Sequence, residues 1–377
     1  MYVCGGCKSK EMNICFLYPN QQNYSETFIQ YHKQYLAPKH TLTGGWRPFR
    51  DEAGTSIFRF PLSEPIRVLV KRGIPVLYPA FYDYFLGKHL RRIKPDVVLA
   101  EYGVTACGVL NACRRAGVPL VVHFHGFDAF EKETLRQYGV AYREVFAYAK
   151  AIIGVSRDMV EQLVRLRADR SKTHFVSCGV LTEKFNGARP ENADKTVLAV
   201  GRFTAKKAPQ LTIKAFELVL QQHPDAQLLM IGKGELWDDC QRMVQKAGLQ
   251  GQIRLLGVKT PDEIQGYLRQ ARFFVQHSMF NSANNDSEGT PTSVLEASAA
   301  GLPVVSTRHA GIKDAVEHGV TGFLVEEGDY KTMAAHMNTL LQSSTLAGEM
   351  GRAARAKMIR EYDMHMQIGK LKQLVEA

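Results

Sequence analysis

The feature that most constrains this chain is a rhythm that runs, stops once and runs again. Short apolar segments alternate with helix-length ones. In the first half, Asn13 to Tyr18, Asp96 to Ala100, Leu120 to Phe124, Ala151 to Val155 and His174 to Ser177 read as strands. Val104 to Arg115 and Arg157 to Leu166 read as helices between them, the second with Ser156 placed to cap it. From Glu183 to Lys195 the pattern lapses into Asn186, Gly187, Pro190, Glu191 and Asn192, a linker composition. It then resumes. Strands are expected at Thr196–Val200, Gln227–Ile231, Ile253–Leu256, Phe273–Gln276, Pro303–Ser306 and Gly322–Val325, and helices at Ala208–Gln222, Pro261–Gln270 and Thr292–Ala300. Alternation of this kind implies parallel sheets with helices on both faces. The expected class is therefore α/β, with two doubly wound, Rossmann-like domains whose ligands lie beyond the carboxyl ends of the strands, in the cleft between the domains.

The length of 377 residues agrees, being too long for one ordinary core. The expected boundaries are an extension over 1–11, a first domain over 12–185, a linker over 186–195 and a second domain over 196–345. A helical tail over 346–377 is expected to pack back on the first domain. Met12, directly before the first strand-like run, is an alternative start. No run approaches the roughly 20 apolar residues of a membrane span, and no apolar run with a cleavage site opens the chain, so the expected compartment is the cytoplasm. The seven cysteines are scattered and read as thiols rather than a disulfide framework. Cys4 and Cys7 have metal-type spacing, but no second pair follows them.

Charge divides the halves. Residues 1–190 hold 27 Lys and Arg against 16 Asp and Glu, while 191–377 hold 21 of each, so all of the net +11 lies in the first half. The two halves are expected to meet different partners, with anionic lipid, a lipid-diphosphate acceptor and nucleic acid as candidates for the basic one. Between Arg67 and Lys94, basic residues (Arg67, Lys71, Arg72, Lys88, Arg91, Arg92, Lys94) interleave with Tyr78, Phe81, Tyr82, Tyr84 and Phe85. Such a stretch can form a membrane-surface helix, stack single-stranded nucleic acid, or be an ordinary helix with its aromatics in the core.

Three clusters carry chemistry. In the first, Glu288 precedes Gly289, Thr290 and Pro291, a helix starts at Thr292, and Glu296 lies one turn inside it. A loop carboxylate, bare amides at a helix N-terminus and a helix carboxylate can bracket a polyhydroxylated ligand bearing a diphosphate. In the second, Gly201, Arg202, Lys206 and Lys207 follow a strand end, where cations meet phosphate. In the third, His123, Phe124, His125, Gly126, Phe127 and Asp128 close another strand, and His125 is expected at the cleft. No Asp, Glu or His set with metal spacing is seen around the two histidines, and no metal is expected.

These residues together resemble the retaining glycosyltransferase family 4, the group 1 glycosyltransferases of GT-B fold. Glu288 through Gly301-Leu302-Pro303-Val304-Val305 matches its acid, seven residues, acid, G-x-P-V-V signature. The match extends through His309-Ala310-Gly311-Ile312-Lys313-Asp314 and Gly319-Val320-Thr321-Gly322, and upstream to Gly201-Arg202-Phe203, Gly232-Lys233-Gly234 and His125-Gly126-Phe127-Asp128. It covers about residues 12–365. The resemblance implies that Arg202 and Lys207 bind the donor diphosphate and that Glu296 holds the ribose. Glu288, Gly289, Thr290, Pro291 and Thr292 would bind the transferred sugar, with His125 and Glu288 at the reacting centre. It also implies that no cofactor or metal is needed, and that the configuration is retained by a front-side, ion-pair-like path without a protein nucleophile. Tyr24-Ser25-Glu26-Thr27-Phe28 resembles the exopolysaccharide and lipopolysaccharide subset and puts Ser25 and Glu26, with Asp128, on the acceptor side. Lys313 and Asp314 depart from the family's usual Pro and Glu. The implied function is hexose transfer from a nucleotide sugar to a polyprenyl-diphosphate-linked glycan at the inner face of an anionic membrane, without nucleic acid. The alternatives are a nucleotide-sugar epimerase or sugar synthase of the same fold, or a non-catalytic sugar- or nucleic-acid-binding protein.

Overall fold

A computed structural model of the chain describes residues 12–19, 27–47, 50–58 and 77–377. The extension over 1–11, Ser25, Glu26, Arg67, Lys71 and Arg72 lie outside the described residues.

Seven strands form the first sheet: β1 (Ile14–Tyr18), β2 (His40–Thr43), β3 (Arg50–Asp51), β4 (Val97–Glu101), β5 (Leu120–Phe124), β6 (Ala151–Gly154) and β7 (Thr173–Phe175). Their order is β3-β2-β1-β4-β5-β6-β7, parallel throughout except for β3. Six strands form the second: β8 (Thr196–Val200), β9 (Gln227–Ile231), β10 (Ile253–Gly257), β11 (Phe273–Gln276), β12 (Val304–Thr307) and β13 (Gly322–Val325). Their order is β10-β9-β8-β11-β12-β13, all parallel. Central strands such as β4 and β5 are buried at every residue, as helices on both faces demand. In each sheet the order reverses at one place, between β1 and β4 and between β8 and β11, and crevices form at the carboxyl ends there.

Local chemistry explains several boundaries. Ser156 accepts from the Met159 amide and starts the helix Arg157–Arg165. Thr260 and Glu263 form a reciprocal capping box on the helix Pro261–Gln270. Strand β2 was not expected, because His-Thr-Leu-Thr holds no continuous apolar run. The strand expected to reach Ser177 ends at Phe175, since the Ser177 amide turns to the Gln367 side chain (3.1 Å).

The tail is two helices, Ser344–Lys357 and Met364–Glu376, joined by a π turn over Met358–Tyr362, where one continuous helix was expected. The break lies at Asp363, which caps the second helix through the His365 amide and bonds Thr182 Oγ1 (2.6 Å). The Val180 amide donates to the Tyr362 carbonyl and the Met364 amide to the Val180 carbonyl (both 2.9 Å). Met364, Ile368, Leu371 and Val375 then enter the core of the first domain. The Arg355 guanidinium donates to the carbonyls of Thr182, Phe185 and Ala299, tying the crossover to the second domain. The low-apolar stretch before β8 is likewise held, with the Ala188 amide on the Ala300 carbonyl (3.0 Å).

In the helix Tyr78–Ile93, Tyr82, Leu86 and Leu90 are fully buried, so part of the aromatic run is ordinary core. Leu77, Tyr84, Lys88, Arg91 and Arg92 form an exposed stripe. Among the described residues, no helix is long and apolar enough to cross a membrane.

Candidate active site

The carboxyl ends of the two sheets face each other across a cavity of about 520 Å³. Its walls include every position from the donor-side expectation: Arg202, Lys207, Glu288, Gly289, Thr290, Pro291, Thr292 and Glu296, with His125 opposite.

On the second-domain wall, Arg202 and Lys207 follow β8. The Lys207 ammonium lies 3.2 Å from Glu288 Oε2, each side chain about a tenth exposed. Glu288 Oε1 is buried and has no hydrogen-bond partner among the described residues. Burial alone would raise the Glu288 pKa, but Lys207 and Lys206 overcome it and hold the group at about 2. Burial lowers the Lys207 pKa and Glu288 partly restores it. Lys206 pairs with Asp286 (3.0 Å). The loop is fixed from behind by His309, whose Nδ1 donates to Glu327 (2.6 Å) and whose Nε2 accepts from the Glu288 amide (3.2 Å). The helix Thr292–Ala300 starts at the cavity, with Thr292 and Ser293 of its first turn in the wall. Glu296 has its pKa raised to about 7 by burial, against the pull of Lys184.

The domains touch where this loop meets the first sheet. The Thr290 hydroxyl donates to the Val155 carbonyl (2.8 Å), which commits its proton to the seam while the residue still lines the cavity. A Cβ at Gly289 would lie 2.4 Å from the His125 carbonyl oxygen, so only glycine permits this approach. The two departures from the family pattern also act here. Lys313 pairs with Asp158 (2.8 Å), and Asp314 accepts from the Arg157 amide (2.9 Å).

Two expectations are corrected on the first-domain wall. Asp128 does not reach an acceptor. Its carboxylate is fully buried and accepts from the amides of Gly103 (2.9 Å), His125 and Gly126 (both 3.0 Å), which makes it a clamp on the turn after β5. The histidines are also not without a carboxylate. Glu101, at the end of β4 and fully buried, receives His32 Nδ1 (2.8 Å) and His125 Nε2 (2.5 Å), with His123 Nδ1 at 3.5 Å. His32, Glu101 and His123 bring their polar atoms within 4.8 Å of one another. Nitrogen and oxygen ligands at about 2.0–2.1 Å in a tetrahedron stand about 3.3 Å apart. Within this set the His32–Glu101 contact of 2.8 Å is a hydrogen bond, and the His123–Glu101 contact is longer, at 3.5 Å.

Sequence reasoning missed Glu101 and His32. One signal was present: β4 ends on a carboxylate, and parallel register sets Glu101 beside His123 of β5. His32 comes from the helix Thr27–Leu36 and had no such signal.

The family model for glycosyl transferases group 1 matches residues 182–357, and that for the glycosyl transferase 4-like domain matches 36–179. The amylovoran biosynthesis glycosyltransferase AmsK of Erwinia amylovora is 31% identical over 286 residues, 74% of this chain and 70% of AmsK. An Escherichia coli UDP-Gal:alpha-D-GlcNAc-diphosphoundecaprenol alpha-1,3-galactosyltransferase is 28% identical over 311 residues, 77% of each chain. Among solved structures, Anabaena HepE in complex with UDP superimposes with a TM-score of 0.77 at 17% identity, covering 97% of this chain and all of HepE.

Proposed function

Given that the chain belongs to the group 1 glycosyltransferases and has their GT-B fold, we propose that it transfers a hexose, with retention, from a uridine-diphosphate sugar to a lipid-diphosphate-linked glycan in exopolysaccharide synthesis. The observation that carries this reading is the Lys207–Glu288 pair, which is set for a ligand and incomplete without one. A diphosphate entering beside Arg202 and Lys207 gains two cations and the amides of the helix Thr292–Ala300. Glu288, released from Lys207, then has both oxygens for sugar hydroxyls. Glu296 accepts from the ribose. As the bond to the anomeric carbon breaks, negative charge grows on the leaving diphosphate, where Arg202 and Lys207 stabilise it. These cations and helix amides supply the charge stabilisation that a metal would otherwise give.

Uridine is chosen because HepE was solved with UDP, and the lipid-linked acceptor because the E. coli relative is named for one. The exposed stripe of Leu77, Tyr84, Lys88, Arg91 and Arg92 supports peripheral contact with an anionic bilayer. The test incubates the protein with UDP-hexoses and undecaprenyl-diphosphate-linked N-acetylhexosamine and reads the product's anomeric configuration by NMR. An α-linked product from an α-configured donor supports the reading. An inverted product, or epimerised donor without transfer, rejects it.

A further inference from the structure

The cluster behind His125 is built more heavily than a sugar contact requires. Glu101 is completely enclosed in a sheet core, where an uncompensated carboxylate is costly. Three imidazoles surround it: His32 from the helix Thr27–Leu36, His123 from β5, and His125 from the turn that follows. One carboxylate can balance one imidazolium. A second positive charge would be buried without a partner, so the cluster holds one extra proton. His125 makes the shortest contact, 2.5 Å from Nε2 to Glu101 Oε2, and is the one imidazole of the three that lines the cavity. Its ring is also wedged, stacked on Phe28 with centroids 4.4 Å apart. With Nε2 committed to Glu101, the Nδ1 edge lies toward Cys178 Sγ (3.8 Å), which also lines the cavity.

We propose that Glu101 is the positioning residue for His125: its buried carboxylate pins Nε2–H and keeps the ring a charged donor whose Nδ1–H, beside Cys178 Sγ at the cavity wall, is shared with an oxygen of the bound sugar nucleotide. This inference rests on the donor reading above. Among the described residues, the titratable groups facing His125 are Glu101 from β4, Tyr102 directly after it (ring centroids 4.9 Å apart), His32 from the helix Thr27–Leu36, His123 from β5, Cys178 after β7 and Asp128 on its own turn. Their balance favours the proton on His125. Burial lowers its pKa, but Glu101 raises it to about 10, while burial and His125 together hold His123 well below the usual range. The chain thereby has a hydrogen-bond donor that does not switch off across physiological pH, in contrast to a free histidine.

The test compares wild type with Glu101→Gln, which keeps shape and removes charge, and with Glu101→Asp, which restores charge. Histidine nitrogen shifts are recorded by NMR on the ligand-free protein, and turnover is measured against pH. Wild-type His125 is expected to stay protonated at pH 8. In Glu101→Gln its pKa falls to about 6.5 or below, so at pH 8 at most about one ring in 30 carries the proton. Turnover at pH 8 then drops at least about 30-fold with little change in donor KM, and the loss is at least about tenfold smaller at pH 6. Glu101→Asp restores much of the pH 8 rate. Equal losses at pH 6 and pH 8, or a wild-type His125 that titrates near 6.5, would overturn the proposal. Stoichiometric zinc in the purified protein, released by Glu101→Gln, would also overturn it. Because the nitrogen shifts need no substrate, they test Glu101 even if the donor reading fails; that failure would show separately, as a folded wild type that binds no nucleoside diphosphate.

Discussion

Glu101 in the first domain and Glu288 in the second are both buried at the carboxyl end of a sheet, and the two are compensated in opposite ways. Glu101 is closed, with three imidazoles and hydrogen-bonded contacts on both oxygens. Glu288 is open, with one lysine on one oxygen and the other oxygen without a hydrogen-bond partner among the described residues. A closed cluster holds a side chain in place and has nothing left to offer. An open pair retains free valence for whatever enters. This difference is what supports the proposals of a positioning role for the first domain's acid and a ligand-binding role for the second's.

Stability should separate them most. Glu101→Ala leaves the imidazole cluster uncompensated and is expected to cost about 3–5 kcal/mol in denaturant unfolding. Glu288→Gln should cost less, about 1–3 kcal/mol, because the lysine left behind lies at the cavity wall, about a tenth exposed, rather than in a closed core. Equal losses would erase the distinction. Next in size is turnover. Lys207→Ala is expected to reduce kcat by about 100- to 1000-fold, the usual cost of removing one group that stabilises leaving-group charge. A change in KM alone would mean that Lys207 only binds.

A smaller effect comes from pH. Glu296, with its pKa raised to about 7, is protonated below that value and ionised above it. Ribose hydroxyls donate to the ionised form, so nucleotide affinity should rise from pH 6 to pH 8 by roughly three- to tenfold, and Glu296→Gln should flatten the profile. A wild-type profile flat across that range would remove Glu296 from the nucleotide. Lys313→Ala should matter least. Its pair with Asp158 is about two-fifths exposed on both sides, so the loss should be under about 1 kcal/mol in thermal or denaturant unfolding. A larger loss would mean that the domain seam depends on this departure from the family pattern.

The fold was legible wherever one local rule decided an element. β5, β8, β9, β11 and β13 fall at their expected limits, since each is an apolar run bounded by turn residues. β2 was not legible, because a four-residue strand with one apolar residue, Leu42, carries no such signal. The tail was misjudged because its break depends on Asp363 meeting Thr182, 181 positions away. The site divides in the same manner. Arg202, Lys207, Glu288 and Glu296 sit at strand ends and a helix start, and they share one cavity. Asp128 was expected on the acceptor side, whereas its direction is set by three amides that no spacing reveals. Glu101 and His32 are 69 residues apart and meet only through packing.

The claim that the open pair in the second domain is the donor site is tested most directly by calorimetric titration, without metal, of wild type and Lys207→Ala with UDP, GDP and ADP. The account predicts micromolar binding of UDP over the other two, weakened at least about tenfold by the substitution, as loss of a charged phosphate contact implies. UDP binding of equal strength in both proteins, or none in a folded wild type, would contradict it.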